Sequence, residues 1–256
     1  MGFISHLFYP WGFILQILAL VHFFRRRGEW YWVWIIFMGG AIGAVVYMVV
    51  EVLPDAGLIR GMFQSHGRKN RIQLVEAMIL ENPSIANLEE LGELYWDEKQ
   101  YARSRQAFDR AITSKSDSPR TFYRCGQCAM ELGDPNAAIP DLEVAYRGDP
   151  KMDFYRPGMF LAQAYAATGR GKEAATLFEE VLKHNITPEL LYNYAVFLKS
   201  QNRREESIEW LKRLFEKKRT LPHYMQRIER PWFLKGRALL KELTAEKQAF
   251  EKNNQK

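Results

Sequence analysis

The chain has 256 residues, 47% of them hydrophobic, and a formal net charge of +6, enough for one or two ordinary domains. Two cysteines cannot make a disulfide framework, which excludes a small stapled secreted scaffold. The mildly negative mean hydropathy excludes a chain embedded in lipid throughout.

That average conceals an asymmetry. Between Leu7 and Leu53 the only strongly charged residues are Arg25, Arg26, Arg27, Glu29 and Glu51. Phe8 to Phe24 is apolar apart from Gln16 and His22, and Trp30 to Leu53 is apolar for some two dozen residues apart from Glu51. Each run approaches the ~20 residues needed to cross a ~30 Å hydrocarbon layer, so residues 1–53 are expected to form a two-helix transmembrane anchor. The short Arg25 to Glu29 turn would make it a tight hairpin, with Trp30, Tyr31, Trp32 and Trp34 as an interfacial belt. A cleaved leader fits less well, because Met1 to Pro10 has no basic segment and no small-residue cleavage site follows Phe24. Gly39 and Gly43 make a GxxxG spacing that would let a second helix approach, first the other span and then a second copy by self-association.

An apolar span, an Arg-rich turn and aromatics leading to Gly43, Ala44 and Tyr47 resemble the N-terminal membrane module of phospholipase D-type enzymes such as bacterial cardiolipin synthases. The resemblance covers about fifty residues and implies a membrane address, the bacterial inner membrane. It does not extend to the activity. Those enzymes carry paired H-x-K-x4-D motifs, and none of His6, His22, His66, His184 or His223 is followed two positions later by lysine. Arg25, Arg26 and Arg27 argue for a cytoplasmic turn and an extracytoplasmic remainder, while Arg60, Arg68, Lys69 and Arg71 pull the other way.

Pro54 to Lys69 holds three glycines and little periodicity, so residues 54–69 read as a linker. Beyond it a period emerges. Leu88, Leu91, Gly92, Tyr95, Tyr101, Phe108 and Ala111 resemble the tetratricopeptide pattern of large, Leu, Gly and Tyr in a first helix, then an aromatic and Ala in a second. With Gly92 as the small residue of the first helix, Gly126, Ala162 and Ala195 follow at spacings of 34, 36 and 33, bracketing the ~34-residue period of this repeat. Residues 70–256 are therefore expected to be an all-α solenoid of four repeats, about 85–118, 119–154, 155–187 and 188–221, closed by a capping helix over about 231–252. Gly133 and Gly169 suit the turns within pairs. In the fourth unit Asn202 stands where a turn glycine is usual, and Ser207 stands where Ala is usual.

In the tetratricopeptide family certain first-helix positions line a concave ligand groove. Carried over, the resemblance implies Glu89, Glu93 and Trp96 in the first unit, Arg120, Tyr123 and Gln127 in the second, Arg156 and Gln163 in the third, and Tyr192 and Lys199 in the fourth. Asp97, Met130, Met159 and Val196 occupy further positions of the same kind. That mixture of charge, amide and aromatic groups suits a protein or peptide partner. Glu89 and Glu93 stand where chaperone-tail adaptors carry Lys and Asn, so an acidic C-terminal tail is not the expected ligand, and a basic or mixed segment fits better.

No cofactor or metal is expected. Cys125 and Cys128 form a C-x-x-C, but inside a first helix, where Cys125 takes a buried leucine position; no second pair supplies a zinc site. G-x4-G-K-[ST], G-x-S-x-G and H-E-x-x-H are missing, and the expected function is a non-catalytic, membrane-anchored scaffold. The alternative is an accessory subunit of lipid or envelope-polymer synthesis. From Lys199 onward sixteen Lys/Arg face eight Asp/Glu, a balance compatible with anionic lipid, although interleaved Glu makes solvated helix faces the plainer reading and no nucleic-acid partner is expected.

Overall fold

The computed structural model describes residues 3–26, 30–52 and 58–254, with side-chain surroundings for 12–24, 30–50 and 67–245. It divides into two compact units, residues 1–74 and 75–256. Among the described residues every regular element is helical.

In the first unit, α1 (Phe3–Arg26) packs against α2 (Tyr31–Met38) and α3 (Gly40–Tyr47), and a π-helical turn (Met48–Val52) continues α3. Its core is small: Ala19 and Phe23 of α1 meet Trp32, Ile36, Ala44 and Tyr47. The polar side chains Gln16 and His22 of α1 are both satisfied across this contact. Gln16 Nε2 donates to the Ile36 carbonyl at 2.9 Å, and His22 Nδ1 lies 3.0 Å from the Tyr47 hydroxyl.

The two-span anchor and its integral inner-membrane placement are corrected here: among the described residues no helix is long and apolar enough to cross a membrane. The apolar run beginning at Trp30 is not one rod. It breaks at Gly39, and Gly40 turns into the left-handed region (φ +56°), leaving two helices of eight residues. α2 is about 12 Å long and α3 with its π-helical continuation under about 20 Å, where ~30 Å is required. Gly39 and Gly43 serve that break, for a Cβ on Gly43 would lie 2.0 Å from the Ile35 carbonyl oxygen. The arginine turn itself falls partly on residues 27–29, outside the described residues.

α4 (Leu58–Glu81) takes in most of the stretch expected as linker. Its last residues open the second unit, followed by α5 (Ile85–Asp97), α6 (Tyr101–Thr113), α7 (Pro119–Glu131), α8 (Pro135–Gly148), α9 (Met152–Ala167), α10 (Gly171–His184), α11 (Pro188–Ser200), α12 (Arg204–Thr220), the short α13 (His223–Ile228) and α14 (Arg230–Asn254). These form an all-α solenoid of helix pairs, α5/α6, α7/α8, α9/α10 and α11/α12, with α14 packed on α11 and α12.

Local chemistry sets the helix ends. Ser84, Asp134 and Thr187 accept hydrogen bonds from the backbone N–H three residues on, and Pro119, Pro135 and Pro188 occupy first turns where no N–H is needed. Within each pair the reversal uses one left-handed residue, always seven positions after the small residue of the first helix: Lys99 (φ +58°), Gly133 (+76°), Gly169 (+79°) and Asn202 (+59°). Glycine adopts that conformation freely, asparagine tolerably, and lysine only at a cost.

The small residues let the helices of a pair touch. A Cβ on Gly92 would lie 2.6 Å from the Phe108 ring, and one on Gly126 2.5 Å from Leu142. Ala162 and Ala195 are wholly buried at the equivalent places. Ser104 and Ser207 fill the small position of the second helix and donate to the facing carbonyls of Gly92 (2.8 Å) and Ala195 (2.7 Å), which explains why a hydroxyl is tolerated there. The 36-residue spacing is absorbed by a kink in the first turn of α9, where Asp153, Phe154 and Tyr155 are all left-handed (φ +45° to +65°). Asn185 holds this turn by donating to the Phe154 carbonyl (2.8 Å), and Tyr155 stacks on His184.

Replacing Lys99 by Gly should relieve the left-handed strain and stabilise the chain by about 0.5–1 kcal/mol, raising Tm by roughly 2–4 °C at the upper end. Lys99→Ala, which keeps the Cβ, should give no such gain in the same thermal denaturation.

Candidate functional site

The first helices of successive pairs, α5, α7, α9 and α11, bring their like positions onto one inner face. Glu89, expected in the partner groove, is an internal acceptor for Ser116 (2.7 Å) and Thr121. Glu93 is also taken: Arg120 reaches it at 3.2 Å and Arg124 at 2.8 Å. The two glutamates that suggested a basic ligand are thus spent on holding α5 to α7.

Arg124 is the hub of this region, and it was not among the expected groove residues. Besides Glu93 it donates to Gln127 (3.0 Å), while its guanidinium sits 5.0 Å from the Trp96 ring centroid, and Trp96 in turn lies 5.1 Å from Tyr101. Gln127 passes the chain on to the Tyr123 hydroxyl at 2.9 Å. Both are buried, and burial pushes the Tyr123 phenol well above its ordinary range, so it stays neutral. The signal that could have found Arg124 is its spacing: it stands four residues after Arg120 and three before Gln127, on the same stripe of α7.

Further along the face, Arg156 joins Asp153 (3.0 Å) and Glu189 (2.8 Å) and lies over Phe160. Burial opposes its charge, and the Glu189 and Asp153 carboxylates outweigh that, raising its pKa. Tyr192 and Lys199 do not face open solvent alone. Tyr192 packs on Trp232 of α14 (5.7 Å), and Lys199 Nζ pairs with Glu242 at 2.6 Å, so α14 covers this end as another first helix would. Gly236 makes the equivalent close approach, its Cβ position lying 2.5 Å from Leu214.

Gln163 lines a cavity of about 340 Å³ on the same face, together with Met130, Ala166, Ala167, Val196 and Phe197. Among the expected groove residues, Met130, Gln163 and Val196 are those the structure brings together around a recess. Arg120 is open, with 69% of its side chain exposed.

The opposite face carries two larger crevices between second helices. One of about 670 Å³ runs between α8 and α10, bridged by Tyr165 donating to Glu143 (2.7 Å) and Tyr146 to Glu180 (2.8 Å). One of about 710 Å³ lies between the end of α4 and α6, bridged by Tyr95 donating to Glu76. Between α6 and α8 the Arg105–Asp141 pair (3.1 Å) takes the corresponding place.

Cys125 and Cys128 are free and buried. Burial raises both thiols, Cys128 to about 11 and Cys125 beyond that, with Asp109 adding to the latter, so neither is a thiolate near neutrality. Among the described residues no group of three His, Cys, Asp or Glu side chains could hold a metal.

This geometry defines a class: an α-solenoid of paired helices presenting one mixed polar and apolar face. Tetratricopeptide-repeat family models match residues 89–153 and 161–220, and another of the same description matches 129–187. Together they span 89–220, a little over half of the chain, which belongs to the tetratricopeptide-repeat family. The matches begin at residue 89 and lend nothing to the phospholipase D-type resemblance of the N-terminus.

Solved structures agree on the fold. YrrB, described as a TPR protein with an unusual peptide-binding site, is 18% identical over 61% of this chain and 81% of its own, with a TM-score of 0.54. MamA from Desulfovibrio magneticus RS-1 is 15% identical over 66% and 92%, with a TM-score of 0.56. TTC0263, a thermophilic TPR protein of Thermus thermophilus, is 16% identical over 70% and 95%, with a TM-score of 0.50. No curated protein matches the chain.

Asp141 offers a pH test of the α6/α8 contact. Burial lifts its carboxyl to about 6 against the pull of Arg105, with Asp109 adding to the rise. Because the folded pKa is raised, the contribution to stability is present at low pH and lost as pH rises through about 6. The Tm of the native chain should therefore gain on that of Asp141→Asn as pH falls from about 7 to 5; a flat difference would count against it.

Proposed function

We propose that the chain is a non-catalytic scaffold that binds a segment of a protein partner along the inner face of α5, α7, α9 and α11. The observation that carries this reading is the inner face itself: four first helices carry Trp96, Arg120, Gln163 and Val196, the last two lining an open recess, and rings and guanidiniums of this kind anchor partner segments. The tetratricopeptide fold supports it, and YrrB is a relative in fold described as having a peptide-binding site. The thiols are buried and the strongly shifted groups are engaged in structural pairs, so the chemistry these side chains offer is that of recognition.

The test compares two triple variants of the full chain, tagged and purified with their co-purifying proteins quantified. Arg120→Glu, Ala167→Glu and Val196→Glu alter the inner face, whereas Arg110→Glu, Lys172→Glu and Thr176→Glu alter the opposite one. A partner that falls about tenfold or more with the inner set and stays with the outer set is the expected result. Equal retention by both would contradict the reading.

A further inference from the structure

Resting on that reading, we infer that the partner segment inserts one uncharged apolar side chain into the recess between α7, α9 and α11, and offers the Gln163 amide a backbone carbonyl beside it. The recess has a cause in the repeat. At the two positions where the first unit carries Trp96 and Asp97 and the second carries Met130 and Glu131, the third carries Ala166 and Ala167. Two missing side chains leave about 340 Å³ between Met130, Val196 and Phe197, with Phe178 of α10 behind them. Its mouth is open, since Val196 is 39% exposed and Ala167 and Ser200 are exposed too.

The lining selects the occupant. No charged residue lines the recess, so a Lys, Arg, Asp or Glu side chain would lose water there without a counter-charge. Its volume lies at the bottom of the ~300–1,000 Å³ range of small-molecule pockets, suited to one large aliphatic, methionine or aromatic side chain. Of its three polar side chains, two are engaged: Ser200 Oγ donates to the Phe197 carbonyl at 2.6 Å, and Asn193 Nδ2 meets Met159 Sδ at 3.6 Å. Gln163 Nε2 is the exception, a buried donor with no acceptor. Buried amide donors are seldom left so, and the acceptor that accompanies any inserted peptide side chain is its own main-chain carbonyl. A peptide therefore satisfies both features at once, which a free hydrocarbon does not.

The probe is a phage library of random peptides selected on the immobilised full chain, with the enriched peptides measured by fluorescence polarisation. We expect a shared apolar residue whose change to Asp abolishes binding. Ala167→Trp and Val196→Trp, which fill the recess from two different walls, should each weaken binding by about tenfold or more while leaving the helical circular dichroism and Tm in place. Gln163→Leu, which keeps the shape and removes the donor, should weaken it by about fivefold, and an ester in place of the recognised amide should matter to the native chain but not to Gln163→Leu. Peptides that keep their affinity for both Trp variants yet lose it on Arg120→Glu would overturn the recess while sparing the groove. Peptides indifferent to all of these, or none enriched, would overturn both. An apolar dye displaced by the Trp variants with no peptide enriched would mark a small-molecule pocket and also overturn the inference.

Discussion

Every helix pair in the second unit depends on one contact, the point where the first helix has almost no side chain. At Gly92 and Gly126 the facing Phe108 and Leu142 occupy the space a Cβ would need, and Ala162 and Ala195 are fully buried at the same step of the repeat. Interiors pack too densely to absorb an extra methylene there without moving a neighbour. Because that step recurs, one helix of each pair always returns to the same side, and like positions stack into a continuous face. The inner face follows from the packing rule and needs no separate instruction.

What that face offers a partner is decided by how much of its polarity the fold consumes. Glu89, Glu93, Arg124, Gln127 and Tyr123 are engaged in bonds within and across α5 and α7, and Arg156 is tied to Glu189 across α9 and α11. Such linked pairs fix the register between repeats more than they attract ligand, since a buried charge is tolerated only with its partner in place. Removing one member would leave the other stranded. On the proposed reading the surface left for a partner is narrower: the exposed Arg120, the Trp96 edge and the recess beside Gln163.

The solenoid was legible in the sequence because its signal is a spacing of small residues, and spacing survives when individual residues drift. Lys99 and Asn202 show the limit, as the left-handed turn is kept while glycine is not. The N-terminal apolar runs misled for a related reason. Hydropathy counts residues and does not see a bend, and a left-handed Gly40 divides the run into pieces too short to span. The expected groove positions fall on the first helices α5, α7, α9 and α11, but sequence could not tell that Glu89 and Glu93 are already bonded or that α14 covers Tyr192 and Lys199. Those outcomes depend on contacts thirty or more residues apart. The recess was in principle readable, as paired alanines at Ala166 and Ala167 where other units are bulky, although it takes the folded chain to show that Val196 and Phe197 do not close it.

Native-state hydrogen exchange of the full chain carrying Gly126→Val tests the central contact most directly. Forcing two methyls against Leu142 should cost about 1–3 kcal/mol and lower amide protection in α7 and α8 and in their neighbours α6 and α9. Unchanged protection across α6 to α9, with an unmoved Tm, would show that the close approach at Gly126 does not hold the solenoid together.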